Sequence, residues 1–343
     1  MKTSKEPMKE IVLEGQEVRI GYRHKGKDVP VHEGLNFKLI QGELTCLLGA
    51  NGSGKSTLLR TLSAVQPTLS GTILLQRKPL TEFSERERSR TIGVVLTERT
   101  QTGGLTVYEL VSLGRQPYTG FFGRLNTRDK ERISYAIEAV GIQRLTHTYM
   151  AELSDGERQK AFIAKALVQE CPLILLDEPT AFLDVVSRIE IMTLLRRLAR
   201  EERRAILLST HDIDQALLMA DRLWLLRANE GITCGVTEDL ILNQQLETLF
   251  PESNICFNKQ NGVFAPRPSY SHSIVVKAAN DHLLHWTENA LHRLNYECLK
   301  TEMKAMHTPI LDVHTADNLI LTTDNETLTF NNFESLTDHL STL

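Results

Sequence analysis

Polar and apolar positions alternate between residues 11 and 44, as in Val18-Arg19-Ile20 and Leu35-Asn36-Phe37-Lys38-Leu39. A period of two is that of half-buried antiparallel strands, with Gly26-Lys27-Asp28 as their turn. The pattern then changes to short, largely apolar runs at residues 44–48, 92–96, 173–176, 205–208 and 223–226. Such runs belong to strands covered on both faces, as in a parallel sheet. Gly71-Thr72-Ile73-Leu74-Leu75 reads as one more strand, and Gly231-Ile232-Thr233 as a turn. Helical spacing fills the intervals. Ser56 precedes Leu58, Leu59 and Leu62; Ser84 opens a charged helix; Thr106 caps Val107 onward; Thr127 opens a segment carrying Ile133, Ile137 and Val140. Asp184 caps a helix with Ile189, Met192, Leu195 and Leu198 on one face. The expectation is an α/β domain with a parallel core sheet, an antiparallel β subdomain and a helical insertion.

At 343 residues the chain has room for one large domain and a smaller one. Its net charge of −4 gives no reason to expect nucleic acid as a partner. The interleaved Glu201 and Glu202 make the basic stretch 196–204 a solvated helix end. Five scattered cysteines without a C-x-x-C pair argue against a disulfide framework or a zinc site and for a reducing compartment. Residues 1–7 lack the apolar core of a signal peptide, and no run reaches the ~18 apolar residues of a membrane span.

Candidate chemistry sits at the ends of the apolar runs. Gly49-Ala50-Asn51-Gly52-Ser53-Gly54-Lys55-Ser56-Thr57 follows a buried strand and opens a helix, the context required of the G-x-x-x-x-G-K-[ST] phosphate loop. Gly49, Gly52 and Gly54 let backbone N–H groups curl around an anion, the helix N-terminus adds its dipole, and Lys55 adds a point charge. Ser56 is placed to ligate Mg²⁺. Downstream, four aliphatics lead into Asp177-Glu178, at the strand edge where ligands of parallel sheets bind. In phosphate-loop enzymes the first acid serves Mg²⁺ and the second orients the attacking water. His211-Asp212 ends the next apolar run by the same logic. Two features read either way. Tyr22 at a strand end is ordinary packing or a platform for adenine. Leu153-Ser154-Asp155-Gly156-Glu157 is a capping box, Ser154 with Glu157, or a second anion site at a helix N-terminus.

Together these motifs resemble the ATP-binding subunits of ABC transporters, over about residues 10–250. The carrying feature is their order: phosphate loop, helical insertion, Leu-Ser-x-Gly-x, Asp-Glu-Pro-Thr, Ser-Thr-His-Asp. The resemblance implies a P-loop ATPase fold over residues 8–250, with a helical subdomain at about 98–168. It implies ATP and Mg²⁺ as ligands, with Tyr22 as the adenine-stacking aromatic and Asp177 as the acid associated with Mg²⁺. Glu178 is then the catalytic base, and His211 the switch residue on the γ-phosphate. Asp184 speaks across a dimer, and Ser154 and Gly156 bind ATP held by the second subunit, so a capped helix can also present an anion site. Leu113-Gly114-Arg115-Gln116-Pro117-Tyr118 and Gly120-Phe121-Phe122-Gly123-Arg124-Leu125 are similar to the insertion of importers for iron-siderophore, haem and cobalamin compounds. That likeness implies a homodimer on transmembrane permease subunits at the cytoplasmic face of the cell membrane, served indirectly by a substrate-binding protein and without nucleic acid. The permease helices would dock near residues 97–125.

Two stretches depart from the family. Thr97 stands where a Gln usually contacts Mg²⁺ and the attacking water, with Glu98 or Gln101 as substitutes; Asp155 and Glu157 stand where Gly and Gln are common. Thr97 raises the reading of a weakly active regulatory subunit. A soluble ABC ATPase acting on ribosomes or DNA is the other rival, but such proteins join two ATPase units or insert long coiled coils, and neither pattern occurs in this sequence.

From about residue 251 the composition changes. Residues 251–270, with Ala265-Pro266-Arg267-Pro268-Ser269, read as a linker. Residues 271–343 read as a small α+β appendage of strands and two helices. Among its histidines, His282, His285, His292, His307 and His314 lack metal-ligand spacing and read as solvated surface. Its position after the ATPase domain prompts a regulatory or dimer-stabilising role.

Overall fold

The structure, a computed structural model, describes residues 10–96, 104–120, 123–228, 230–250, 254–258, 262–267, 269–299 and 308–342. It divides into two compact units, Met1–Ser253 with Phe257–Phe264, and Asn254–Cys256 with Ala265–Leu343.

In the first unit β1 (Ile11–His24) and β2 (Lys27–Ile40) pair antiparallel. Their turn is Lys25-Gly26, both with positive φ of 49° and 75°. A two-residue hairpin turn of this kind matches the twist of the strands, so Lys27 and Asp28, expected in the turn, extend β2 instead. Next come β3 (Leu44–Leu48), α1 (Lys55–Leu62), β4 (Ser70–Leu75), β5 (Lys78–Pro79), α2 (Glu85–Thr91) and β6 (Ile92–Val95). The helical insertion supplies α3 (Val107–Leu113), α4 (Thr127–Ala139) and α5 (Asp155–Leu167). The remainder is β7 (Leu173–Asp177), α6 (Val185–Glu201), β8 (Ala205–Ser209), α7 (Ile213–Met219), β9 (Arg222–Arg227), β10 (Gly231–Val236) and α8 (Thr237–Leu242).

The central sheet runs in the order β10-β9-β3-β8-β7-β6 and a smaller one in the order β2-β1-β4-β5. From β9 to β6 the central strands are parallel, and β10 pairs antiparallel with β9. Gly231-Ile232-Thr233, expected as a turn, therefore lies within a strand. The apolar runs are buried on both faces. Leu44, Cys46, Leu48, Ile174, Leu176, Ile206 and Leu208 join the core under the helices; Leu47, Leu173, Leu175, Leu207 and Trp224 join the core with α1 and the smaller sheet. Capping boxes at Ser84, Thr106, Asn126 and Ser154 start α2, α3, α4 and α5. In α6 the buried stripe is Ile191, Met192, Leu194, Leu195, Leu198 and Ala199. Ile189, expected on that face, points outward.

A buried ion network ties the insertion together. Arg115, just past α3, donates to Asp129 of α4 at 2.9 Å, to the Val168 carbonyl at 2.9 Å and to Glu170 at 2.7 Å. Its guanidinium also lies 3.9 Å from the Tyr118 ring centroid.

Within the stretch expected as linker, β11 (Ile255–Asn258) and β12 (Val263–Pro266) form a two-stranded sheet, in which the division between units falls. The second unit then has β13 (His272–Ala278), α9 (Asp281–Arg293), β14 (Tyr296–Leu299), β15 (Ile310–Thr315), β16 (Asn318–Thr322), β17 (Thr327–Phe330) and α10 (Phe333–Leu340). Its sheet order is β14-β13-β15-β16-β17, parallel around β13 and antiparallel beyond β15. One face packs Ile274, Val276, Leu311, Val313, Leu319 and Leu321 against Leu291 of α9 and Leu336 and Leu340 of α10. Among the described residues no helix is long and apolar enough to cross a membrane.

Candidate functional site

The site residues gather because β3, β8 and β7 are parallel neighbours whose C-terminal ends share one edge of the sheet. β3 delivers residues 49–57, β7 delivers Asp177 and Glu178, and β8 delivers Ser209, Thr210 and His211.

Gly54, with φ of 93°, caps α1 and turns the chain into the helix. Gly49 passes so close to β9 that a Cβ there would meet the Leu226 carbonyl oxygen at 2.4 Å and Ser53 Oγ at 2.6 Å. Ser53 Oγ is buried without a hydrogen-bond partner, a donor enclosed by the loop. Lys55 Nζ donates to the carbonyls of Gly49 at 2.8 Å and Ala50 at 3.1 Å. Burial lowers the Lys55 pKa from that of an ordinary ammonium, and the negative charges of Glu178 and then Asp177 work against that shift. These acids thus sit within electrostatic reach of the loop. The Ser53 carbonyl accepts a hydrogen bond from His32 Nε2 at 2.6 Å. Tyr22, 46% exposed, keeps its ring accessible while its hydroxyl shares a 2.8 Å hydrogen bond with Thr57 Oγ1.

Across the loop, Asp177 Oδ1 accepts from Ser209 Oγ at 2.6 Å, and the same hydroxyl accepts from the Glu178 N–H at 2.9 Å. The pairing follows from register, since Asp177 lies opposite Ser209. Glu178 has a positive φ of 46°, a conformation uncommon outside glycine and asparagine that recurs at functional sites. It turns the carboxylate from the strand line to His211, with Oε1 2.6 Å from Nε2. A cleft of about 720 Å³ is lined by Ser56, Leu59, Val94, Leu96 and Asp177, among others. Hydroxyl and carboxylate oxygens on one cleft are the hard donors that Mg²⁺ takes, so the residues fit that ion. Smaller hollows lie along Gly49, Ala50, Asn51 and His211, and along Glu178, Thr180 and His211.

Ser154 and Gly156 line none of these three hollows. Ser154 is exposed, and its capping box is complete in both directions: Glu157 N–H donates to its Oγ, and Glu157 Oε2 accepts from its N–H at 3.0 Å. Hydrogen bonds from the Ser154 hydroxyl and N–H hold Glu157 below the usual carboxylate range. Asp155 turns aside to Arg158 at 2.7 Å, and a Cβ at Gly156 would meet Ser187 Oγ at 3.0 Å. Asp184 caps α6 through the Ser187 N–H at 2.7 Å, which lowers its pKa. Thr97, Glu98, Gln101, Phe121 and Phe122 lie outside the described residues.

Ser209 opens the Ser-Thr-His-Asp motif, but its bond to Asp177 escapes a motif reading, because that partner lies a whole helix and connection earlier in the chain; only the strand register reveals it. Ser209→Ala is expected to remove one charge-assisted hydrogen bond, about 1.5 kcal/mol and hence about tenfold. Steady-state titrations should show the loss as a higher Mg²⁺ concentration for half-maximal turnover, with ADP affinity unchanged.

A family model described as ABC transporter matches residues 32–181. The ferric enterobactin transport ATP-binding protein of Escherichia coli is 35% identical over 69% of this chain and 86% of its own length. The iron(3+)-hydroxamate import ATP-binding protein of Bacillus subtilis is 35% identical over 69% of this chain and 87% of its own. A solved ABC transporter of metal-chelate type, in an inward-facing conformation, superposes with a TM-score of 0.62 at 26% identity, covering 76% of this chain and 99% of its own. With residues 49–57 facing Asp177, Glu178 and His211 on one sheet edge, the chain belongs to the ATP-binding proteins of the ABC transporter family and is an ATPase.

Proposed function

We propose that this chain is the motor subunit of an importer, coupling ATP hydrolysis to uptake of an iron chelate such as a siderophore, or of haem or a cobalamin-like compound. The observation that carries the substrate class is the likeness to import proteins named for ferric enterobactin and iron(3+)-hydroxamate, each matched over most of its length. The outward position of Ser154 and Gly156 supports a second subunit: they complete a site on another copy, as Asp184 does from the edge of α6. Two such subunits would act on transmembrane permease subunits at the cytoplasmic face of the membrane, fed by a substrate-binding protein.

In this reading the N–H groups of residues 49–57 and Lys55 hold the phosphates of ATP, and Tyr22 supplies the ring for adenine. Ser56 and Asp177 would hold Mg²⁺, which when bound neutralises phosphate charge. Glu178 takes the proton of the attacking water, and His211 fixes the carboxylate while reaching the same side of the loop. Ser209 holds Asp177 and the Glu178 backbone together. ATP closes the pair of subunits and hydrolysis lets them part.

The test is co-expression with a candidate permease from the same genome, followed by reconstitution in vesicles. ATP-dependent accumulation of a ferric siderophore, haem or cobalamin is expected. A permease complex whose turnover and uptake ignore all three would overturn the substrate class. Recovery with ribosomes or DNA instead of a permease would overturn the importer reading.

A further inference from the structure

His32 is a buried imidazole that the chemistry above does not use. It sits on β2, 4% exposed, opposite Ile20 of β1. Its Nε2 lies 2.6 Å from the Ser53 carbonyl oxygen. A carbonyl only accepts, so Nε2 carries the proton and donates it. The neighbouring peptide is packed as closely: a Cβ on Gly54 would lie 2.7 Å from Val31 Cγ1 and 3.2 Å from the His32 ring. β2 is thus the floor on which the Ser53-Gly54 peptide rests.

We propose that His32 is a positioning residue for the phosphates of the bound nucleotide, acting through the orientation of the Ser53-Gly54 peptide. A trans peptide is planar and its C=O and N–H point in opposite directions. Drawing the Ser53 carbonyl toward β2 therefore turns the Gly54 N–H away from β2, to the concave side of the loop. Among the described residues that N–H makes no hydrogen bond, and the next residue is Lys55. The Gly54 N–H is therefore aimed at an anion before one arrives, and the loop loses less freedom on binding. Without the imidazole donor, the glycine-rich segment has other peptide orientations at small cost.

The proposal rests on the reading of residues 49–57 as the nucleotide site, and calorimetric ADP binding to the full-length protein separates the two. His32→Leu removes the donor; His32→Met repeats the removal with an unbranched chain; His32→Gln restores an amide N–H at similar reach. Leu and Met are expected to weaken ADP binding about tenfold, Gln to stay within about twofold of wild type, and the thermal midpoints of all three to stay close together. Lys55→Ala serves as the control on the site. If it weakens ADP while Leu and Met at position 32 do not, the role of His32 is wrong and the site stands. If Lys55→Ala leaves ADP affinity unchanged, the site reading falls and the proposal with it. Equal losses in Leu, Met and Gln, tracking lower thermal midpoints, would make His32 a packing residue and overturn the proposal.

Discussion

Glu178→Gln is expected to lower ATP turnover about 1000-fold, a barrier increase of about 4 kcal/mol, while ADP and ATP still bind. Gln keeps the shape and can occupy the same positive φ without additional cost. It keeps a hydrogen-bonding partner for His211, 2.6 Å away in the native pair. It also leaves the Glu178 N–H bonded to Ser209. What is lost is the carboxylate proposed to accept the proton of the attacking water. Turnover of the assembled complex, measured beside nucleotide affinity, separates this from a binding defect. A loss smaller than tenfold would move the base to another residue, whereas loss of affinity together with turnover would mean that the side chain contributes to holding the nucleotide.

Arg115→Ala should carry the largest cost in stability. Arg115 and Asp129 have side chains only 4% and 2% exposed, so truncation leaves a carboxylate in the core of the insertion without its guanidinium. Breaking one half of a buried pair costs about 3–5 kcal/mol, a large part of the ~5–15 kcal/mol that holds a typical domain folded. Asn126, which donates its N–H to Asp129 Oδ2 at 3.0 Å, supplies only one hydrogen bond in return. Lysine would restore little, because an ammonium cannot reach Asp129, Glu170 and the Val168 carbonyl while stacking on Tyr118. Urea midpoints of the first unit should fall for Arg115→Ala, and fall less for Arg115→Met combined with Asp129→Leu, which removes both charges. Equal loss in the two would show that packing, not the stranded charge, sets the cost.

Much of the sheet edge was legible because parallel strands buried on both faces leave long apolar runs. Residues 44–48 and 173–176 could be placed that way, and the polar residues that interrupt the runs mark the edge. Capping pairs such as Ser154 with Glu157 marked helix starts for the same local reason. What was not legible depends on pairing at a distance. Ser209 opposite Asp177 is a matter of register, and β10 looked like a turn because Gly231 opens it, although Ile232 and its neighbours pair along β9. Ile189 has the right spacing for the buried face of α6, yet the helix is rotated so that Ile191 and Leu194 take the inside. His32 was invisible because irregular pairing between β1 and β2 breaks the alternation around it.

The central place of β3 also has a bearing on how the chain is made. Its neighbours are β8 and β9, and the Leu44 N–H donates to the Asp221 carboxylate 177 residues further along. The strand that leads into residues 49–57 is therefore synthesised well before either of its neighbours. Contacts of such sequence separation make folding slow, and they leave apolar strands unpaired until their distant partners have been made. Nascent chains that end before residue 222 lack β9, so the loop after β3 gains its complete sheet only once β9 has been made, and until then the apolar strand is a natural client for chaperones.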